Sequence, residues 1–177
     1  MTQTSPSPQG TPGPSGTALL PTVVATGGEP TASAPAESPG PCQPAFMAAR
    51  VTAWDGAAGH RIASVELVNT GPGPCSMFAG ARVQLMDGSG YILIDGAPPA
   101  ASAVLVVAAG GVLTTVVQDG NYCGPAPVPP VTVAIIFPDG LGRVVASPVS
   151  AGDVSGVPPC MGEAGSAGDI EMQPWSP

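Results

Sequence analysis

The stretch DGAAGHRIASVELVNTGPGPC, residues 55–75, contains the signals that decide the fold. A glycine-rich turn is followed by a run in which apolar and polar residues alternate, and the run ends in a Pro- and Gly-rich loop that reaches Cys75. Alternation with a period of two is typical of a β-strand that buries one face. The sequence therefore predicts a turn, a strand over 61–69 and a constrained loop. The same stretch contains the single histidine of the chain, His60.

The composition of the whole chain also favours strands over helices. Among the 177 residues there are 25 glycines and 24 prolines. Relative to alanine, an interior helical position disfavours glycine by about 1 kcal/mol and proline by about 3 kcal/mol. Long helices are therefore not expected. A hydrophobic content of 44% is nevertheless sufficient for one modest core.

Short segments rich in valine and isoleucine recur along the chain, each bounded by Gly, Pro, Asp or Asn. Short alternating segments separated by turn residues are typical of an antiparallel sandwich. We therefore expect an all-β fold, an antiparallel β-sandwich of about seven to eight strands. The segments are FMAARVTAW (46–54), RIASVELVN (61–69), ARVQLMD (81–87), YILID (91–95), SAVLVVA (102–108), GVLTTVVQ (111–118), VTVAIIF (131–137) and RVVASPV (143–149).

Residues 1–41 differ from the rest of the chain because they are rich in Pro, Ser, Thr and Gly and contain no aromatic residue. Such a segment cannot bury enough apolar surface to offset the entropy lost on ordering. We predict a disordered linker or stalk over 1–41 and one domain over 42–177. The apolar ALLPTVV within the linker is too short to span a membrane. No basic region precedes it, so no export signal is visible.

The four cysteines, Cys42, Cys75, Cys123 and Cys160, are widely spaced and form no C-x-x-C pair. One histidine cannot complete a zinc site with them, whereas an even set of this kind is typical of disulfides. Disulfides form in oxidising compartments outside the cytosol. We therefore expect an extracytoplasmic protein, either secreted or associated with the cell envelope.

The positions of the cysteines relative to two turns favour one pairing. Cys42 and Cys75 lie at similar distances on either side of the turn DGAAG, and Cys123 and Cys160 do so around the turn PDGLG. Residues equally far from the turn of an antiparallel hairpin come together. The sequence thus favours Cys42–Cys75 and Cys123–Cys160 over the two other pairings that four cysteines allow.

The charge of the chain argues against two classes of partner. Twelve acidic residues stand against four arginines and no lysine, which gives a net charge of −8. Nucleic-acid binding requires clustered Lys or Arg, and a polybasic contact with anionic lipid requires the same. We therefore expect no nucleic-acid partner.

Longer motifs add a family resemblance. The segments DGAAGHR and VELVNTGPGPCSMFAGARVQLMDGSG, with NYCGPAPVPPVTVAIIFPDG and VPPCMGEAGSAGDIEMQPWSP, resemble the secreted bacterial domain of unknown function 4232. The resemblance covers about residues 42–177. It implies an immunoglobulin-like sandwich, export and often a lipoprotein or wall-associated context, but no established activity. The chain departs from the family pattern in the turn AAGG before Val112, and SPGPC before Cys42 lacks the apolar residues of a lipidation site.

His60 has two interpretations. As a general base or metal ligand it would need a partner, but the chain has no G-x-S-x-G motif and no paired-acid motif. At the start of a strand its ring can instead bond local backbone carbonyls or cap the turn. The sequence favours this structural role.

Carboxylates and methionines give no stronger signal for a site. Asp-Gly is a common turn signal, and scattered turn carboxylates match neither an acid–base pair nor an EF-hand loop. The methionines are dispersed, which favours a role as core filling for most of them over soft-metal binding. The aspartates interpreted in this way are Asp55, Asp87, Asp95, Asp119, Asp139 and Asp153.

The loop NTGPGPCSMF is the densest feature of the chain, and we treat it as the candidate binding loop. Asn69 and Thr70 can form side-chain turns, Pro72 and Pro74 stiffen the backbone, and Phe78 follows the cysteine. A rigid loop at the end of a sandwich is suitable for binding, and it is equally what a purely structural loop requires.

From the sequence we expect a non-enzymatic interaction or ligand-binding module without a cofactor, a monomer that meets an extracytoplasmic protein or glycan. The alternatives are a metal-handling or hydrolytic domain using His60 and nearby carboxylates, and a structural spacer of the envelope. A catalytic or metal site requires a concave pocket and a perturbed acid beside His60. An interaction module requires an exposed apolar surface.

Overall fold

The computed structural model describes residues 38–100 and 102–177. These residues form the all-β fold that the sequence predicts, because their regular structure is β-strand apart from one short 3-10 helix, Pro44–Phe46. The linker predicted over 1–41 lies, except for its last residues, outside the described part of the chain. The strands are β1 (Met47–Ala57), β2 (His60–Asn69), β3 (Cys75–Phe78), β4 (Arg82–Met86), β5 (Ile92–Asp95), β6 (Val104–Val107), β7 (Val112–Gly120), β8 (Thr132–Phe137), β9 (Gly142–Val145) and β10 (Asp169–Met172).

The first sheet has the antiparallel strand order β1-β2-β7-β10. Pairing between β1 and β2 continues up to Ala57 and His60, so only Ala58 and Gly59 form the turn. Gly59 has a φ of +82°, a left-handed conformation that glycine adopts without steric cost. The predicted turn DGAAG is therefore present, but its flanking residues belong to the strands.

The second sheet has the antiparallel order β5-β4-β8-β9, and β3 and β6 form a separate two-stranded ribbon. Immunoglobulin domains have an A-B-E-D sheet facing a sheet that contains strands C′, C, F and G. Here β1, β2 and β7 correspond to A, B and E, and β5, β4, β8 and β9 correspond to C′, C, F and G. The C-terminal β10 lies beside β7, where strand D would lie.

The core lies between the two sheets. On β2 the inward set Ala63, Val65, Leu67 and Asn69 is buried and the intervening residues are only partly buried, which confirms the predicted alternation. Inward residues of β7 lie beside them in the same sheet, and inward residues of the second sheet face them. These include Val83, Leu85, Val133, Ile135, Phe137, Leu113 and Val117, with Met47, Met77 and Met86 among the other buried side chains.

Two strands were not predicted, β3 and β10. Residues 75–78 follow a Pro- and Gly-rich loop, and the four-residue segment Asp169–Met172 lies in a Gly-rich tail. Neither is long enough to show a clear period. β3 forms because it pairs with β6, and β10 forms because it pairs with β7, so both depend on partners distant in the sequence.

Contacts with the sandwich begin before Cys42. The backbone N–H of Ser76 donates to the Gly40 carbonyl, and the N–H of Cys42 donates to the Ser76 carbonyl, each at 2.8 Å. The Ser76 hydroxyl also donates to the carbonyl of Pro39 at 3.0 Å. Residues 39–41 therefore pair with β3 as part of the folded unit.

The predicted disulfide pairing is confirmed. Cys42 is bonded to Cys75 and Cys123 to Cys160, with sequence separations of 33 and 37. No free cysteine remains in the described residues, which contain all four. Each bridge closes a loop around one of the turns from which the pairing was predicted.

We expect reduction of both disulfides to lower the free energy of unfolding by about 4 kcal/mol per bridge. The reason is that each bridge closes a loop, with sequence separations of 33 and 37, and so limits the entropy of the unfolded chain. Together these losses approach the whole stability of a small domain. Urea unfolding followed by circular dichroism, before and after reduction and thiol alkylation, measures the loss. An unchanged urea midpoint with four alkylated thiols would contradict this expectation.

Candidate functional site

His60 is the first residue of β2, opposite Ala57 on one side and Gly120 on the other. Its ring packs against the backbone of Gly120, where an added Cβ would lie 2.5 Å from Nδ1 and 3.2 Å from Oδ1 of Asp169. Nδ1 is buried and has no hydrogen-bond partner. The bond to local carbonyls expected from the sequence is therefore not formed at Nδ1, and the ring instead packs on a glycine.

Asp119 has the largest pKa shift of the described acids, and its side chain does not face His60. Asp119 was interpreted from the sequence as a turn residue, but it lies within β7, which continues to Gly120 between β2 and β10. Asp119 lies opposite Arg61, whereas His60 lies opposite Gly120. Adjacent strand positions point to opposite faces of a sheet. The two side chains therefore lie on opposite sides of the first sheet and do not form an acid–base pair.

The Asp119 carboxyl is fully buried, and neither oxygen has a hydrogen-bond partner. Burial raises the pKa of Asp119 to about 8. The backbone and the positive charge of Arg61 act to lower this pKa, whereas the negative charge of Asp169 adds to the rise. The carboxyl is therefore neutral at acidic pH in the folded state and is a destabilising charge at alkaline pH.

Asn69 is a structural residue of the candidate binding loop. Its side chain is 1% exposed, and Nδ2 donates to the carbonyls of Gly73, Val107 and Ala108 at 2.9–3.2 Å. Its Oδ1 accepts from the Gly71 N–H at 2.9 Å. The amide thus connects the loop before β3 to the end of β6, and it is not available to a ligand.

The other residues of the predicted binding loop separate into two groups. Thr70, Pro72 and Pro74 are exposed, and none of them lines the cavity described next. Phe78 is 44% exposed at the end of β3 and does line that cavity. Of the predicted binding-loop residues, Phe78 is therefore the one that lines this cavity.

A cavity of about 780 Å³ lies on the outward face of the second sheet, and we call it the outer cavity. Most of its wall is apolar, which is typical of small-molecule sites of this volume. Its floor comes from β4, β8 and β9, and one wall comes from Pro98, Pro99, Ala100 and Ser102. The lining residues used below are Phe78, Gly80, Arg82, Pro98, Pro99, Ser102, Ile136, Gly140, Gly142 and Arg143.

Strand pairing is interrupted between β3, which ends at Phe78, and β4, which begins at Arg82, and Pro99 of the cavity wall packs against Gly80 at this interruption. A Cβ at Gly80 would lie 3.3 Å from Cβ of Pro99, so only glycine lets the wall approach this closely without displacement. The N–H of Gly80 donates to the Ser102 hydroxyl at 3.1 Å. These contacts hold the wall against the sheet.

The C-terminal segment supports the same interruption from the inner side. The N–H of Trp175 donates to the Ala79 carbonyl at 2.8 Å, and the N–H of Ala81 donates to Sδ of Met172 at 3.2 Å. Trp175 is 4% exposed. Trp175 is therefore part of the core.

A ladder of polar side chains crosses the floor of the cavity. Arg82 lies opposite Ile136, which lies opposite Arg143. In the adjacent row Asp95 lies opposite Gln84. Nε2 of Gln84 donates to Oδ1 of Asp95 at 3.0 Å, and Nη1 of Arg143 reaches Oε1 of Gln84 at 3.5 Å.

The outer cavity was not predicted from the sequence. Arg82 and Arg143 are far apart in the sequence, and only the registers of β4 with β8 and of β8 with β9 place them in one row. The scarcity of basic residues was a usable signal, because Arg82 and Arg143 lie at or next to the start of two predicted strands that the structure places in the same sheet. The alternation within each strand would have placed them on one face only once the register was known.

Comparison of the chain with protein-family models, with curated proteins and with solved structures finds no match. The resemblance to the domain of unknown function 4232 family therefore stays a prediction that depends on the quoted motifs.

The described residues contain no group of three or more His, Cys, Asp or Glu side chains that could hold a metal ion. They also include no helix that is both long and apolar enough to cross a membrane.

We expect the stability of the protein to fall as the pH rises from about 4 to about 8, because the folded state retains the Asp119 proton that the unfolded state releases near its ordinary pKa of 3.8. Below this window both states hold this proton, and the contribution of Asp119 to stability is fully present. One proton corresponds to a slope of about 1.4 kcal/mol per pH unit. Asp119→Asn should remove this slope, which urea unfolding at several pH values measures. Parallel pH profiles of the two proteins would show that Asp119 is not the cause.

We expect Asn69→Ala to lower the free energy of unfolding by about 3 kcal/mol, because several buried backbone groups lose their partner. The matched control is Thr70→Ala, which removes an exposed side chain and should change stability by less than about 0.5 kcal/mol. Urea denaturation of both variants makes the comparison. Equal losses would mean that the amide is not the anchor of the loop.

Proposed function

We propose that this protein is a non-catalytic, exported β-sandwich module that binds a small apolar ligand in the outer cavity. The observation that carries the proposal is the cavity of about 780 Å³ with Phe78, Pro98, Pro99 and Ile136 in its walls. Sites for small molecules have this range of volume and a predominantly apolar wall with a few polar groups.

The placement of the cavity favours binding over a purely structural role. Its wall and floor are fixed by the Ser102 hydrogen bond, by Pro99 packed on Gly80, and by three paired strands. A preformed site loses little conformational entropy when it binds a ligand. An envelope spacer has no need of such a site.

Export is the second part of the proposal. Two disulfides are typical of an oxidising compartment, and the motifs that resemble the domain of unknown function 4232 imply secretion or attachment to the envelope. The partner expected from the sequence was an extracytoplasmic protein or glycan. The apolar lining supports an apolar small molecule better than a glycan, because a glycan would need many hydrogen-bonding side chains.

A metal-handling or hydrolytic role at His60 has less support. Its ring packs on Gly120 outside the outer cavity, and the perturbed acid Asp119 lies on the opposite face of the sheet. Asp169 also lies beside Gly120, but Nδ1 of His60 forms no hydrogen bond with it.

We expect the neutral fluorophore N-phenyl-1-naphthylamine to bind the protein and to gain fluorescence, because the cavity wall excludes water from its rings. Phe78→Ser should weaken binding about tenfold by removing an aromatic wall. Phe46→Ser is the matched control, because Phe46 is 52% exposed and lies outside the cavity.

A fluorescence titration of the three proteins measures these affinities. Binding that is equally weakened by both substitutions, or absent from all three proteins, would contradict the proposed site and favour the spacer.

A further inference from the structure

The charges that line the outer cavity are opposite in sign to those of the chain as a whole. The sequence has twelve acidic residues and four basic ones, yet among the residues that the structure describes, Arg82 and Arg143 are the only charged side chains in the lining. A low-dielectric cavity wall strengthens the field of the charges it contains. The cavity is therefore a local cationic site on an acidic protein.

Arg82 does not supply an uncompensated charge. Its Nη2 forms an ion pair with Oδ2 of Asp95, and its Nε donates to Oδ1 of Asp95 at 3.1 Å and to the Gly96 carbonyl at 3.0 Å. Partial burial would raise the pKa of Asp95, but the hydrogen bonds from Gln84 and Arg82 and the charge of Arg82 outweigh it and lower that pKa. Asp95 thus remains ionised and neutralises Arg82.

Arg143 does supply an uncompensated charge. Arg143 is exposed, and within the described part of the chain it forms no salt bridge. Its one side-chain hydrogen bond there is the long one, 3.5 Å, from Nη1 to Oε1 of Gln84. The Gln84 amide is itself oriented by Asp95. The guanidinium is therefore held beside Ile136 with donors still free, at the edge of an apolar floor.

One free cation next to an apolar wall defines a ligand with one anionic group and an apolar body. A guanidinium presents paired N–H donors that match the two oxygens of a carboxylate. Row spacing places Arg143 about 10 Å from the neutralised Arg82 at the Cα level, with Ile136 between them. Ile136 and Phe78 line the same cavity as Arg143, so both are available to the apolar body of such a ligand.

We propose that the ligand of the outer cavity is an apolar monocarboxylate whose carboxylate pairs with Arg143 and whose hydrocarbon part contacts Phe78, Ile136 and the Pro98–Pro99 wall. This inference rests on the proposed function, since it names the chemical class of the ligand for the same cavity. A second copy of the chain and a cationic ligand are the competing occupants.

The experiment is a titration of the full ¹⁵N-labelled chain with octanoate, 1-octanol and octylammonium, which share a hydrocarbon chain and differ in charge. Amide shifts of Gly80, Gly140 and Gly142 report occupancy, because these residues line the cavity. We expect octanoate to bind about tenfold more tightly than 1-octanol, and octylammonium to bind most weakly.

The arginine variants test the contact itself. Arg143→Gln should reduce octanoate affinity about tenfold and leave 1-octanol affinity unchanged, and Arg143→Lys should restore part of the loss. Arg50→Gln is the matched control, because Arg50 is an exposed arginine paired with Glu66 outside the cavity. It should leave both affinities unchanged.

The outcomes separate this inference from the proposed function. Equal binding of octanoate and 1-octanol, tighter binding of octylammonium, or an unchanged octanoate affinity in Arg143→Gln would overturn the inference and leave the cavity a ligand site. Absence of shifts at the lining glycines with all three probes would overturn both. Concentration-dependent self-association that Phe78→Ser abolishes would identify a second copy of the chain as the occupant and would also overturn the inference.

Discussion

The register of β8 between β4 and β9 positions both the core and the outer cavity. Val133, Ile135 and Phe137 point inward and are buried, while Ile136 points outward between Arg82 and Arg143. Side chains alternate along a strand, so a slip of one residue would expose the inward set and bury the outward one. The burial of the core therefore also fixes which side chains face the cavity.

The Cys42–Cys75 disulfide and the glycine at position 80 serve this arrangement in different ways. Cys75 begins β3, so its bond to Cys42 holds the start of the strand that presents Phe78. Gly80 interrupts that strand and lets Pro99 approach the sheet. The covalent bond and the close backbone approach thus position two parts of the cavity lining, Phe78 and Pro99.

Local patterns in the sequence were sufficient where the signal came from neighbouring residues. The inward set of β2, the turn at Gly59 and the disulfide pairing follow from alternation and from distances along one hairpin. The same reasoning failed for β3 and β10, whose pairing partners are distant in the sequence. It also treated Asn69 as a binding residue, because a polar residue in a loop gives no indication that its amide is buried.

The sequence alone determined that this chain is an all-β, disulfide-bonded sandwich, because period-two alternation, turn residues and cysteine spacing act over short distances. Tertiary structure decided where a ligand could bind. Arg82, Ile136 and Arg143 become neighbours only through two strand registers, and Asp95 neutralises one arginine and leaves the other free. Asp119 becomes a perturbed acid only because strands on both sides exclude it from water. Burial and charge pairing are properties of the assembled sheets, which no short segment of the chain contains.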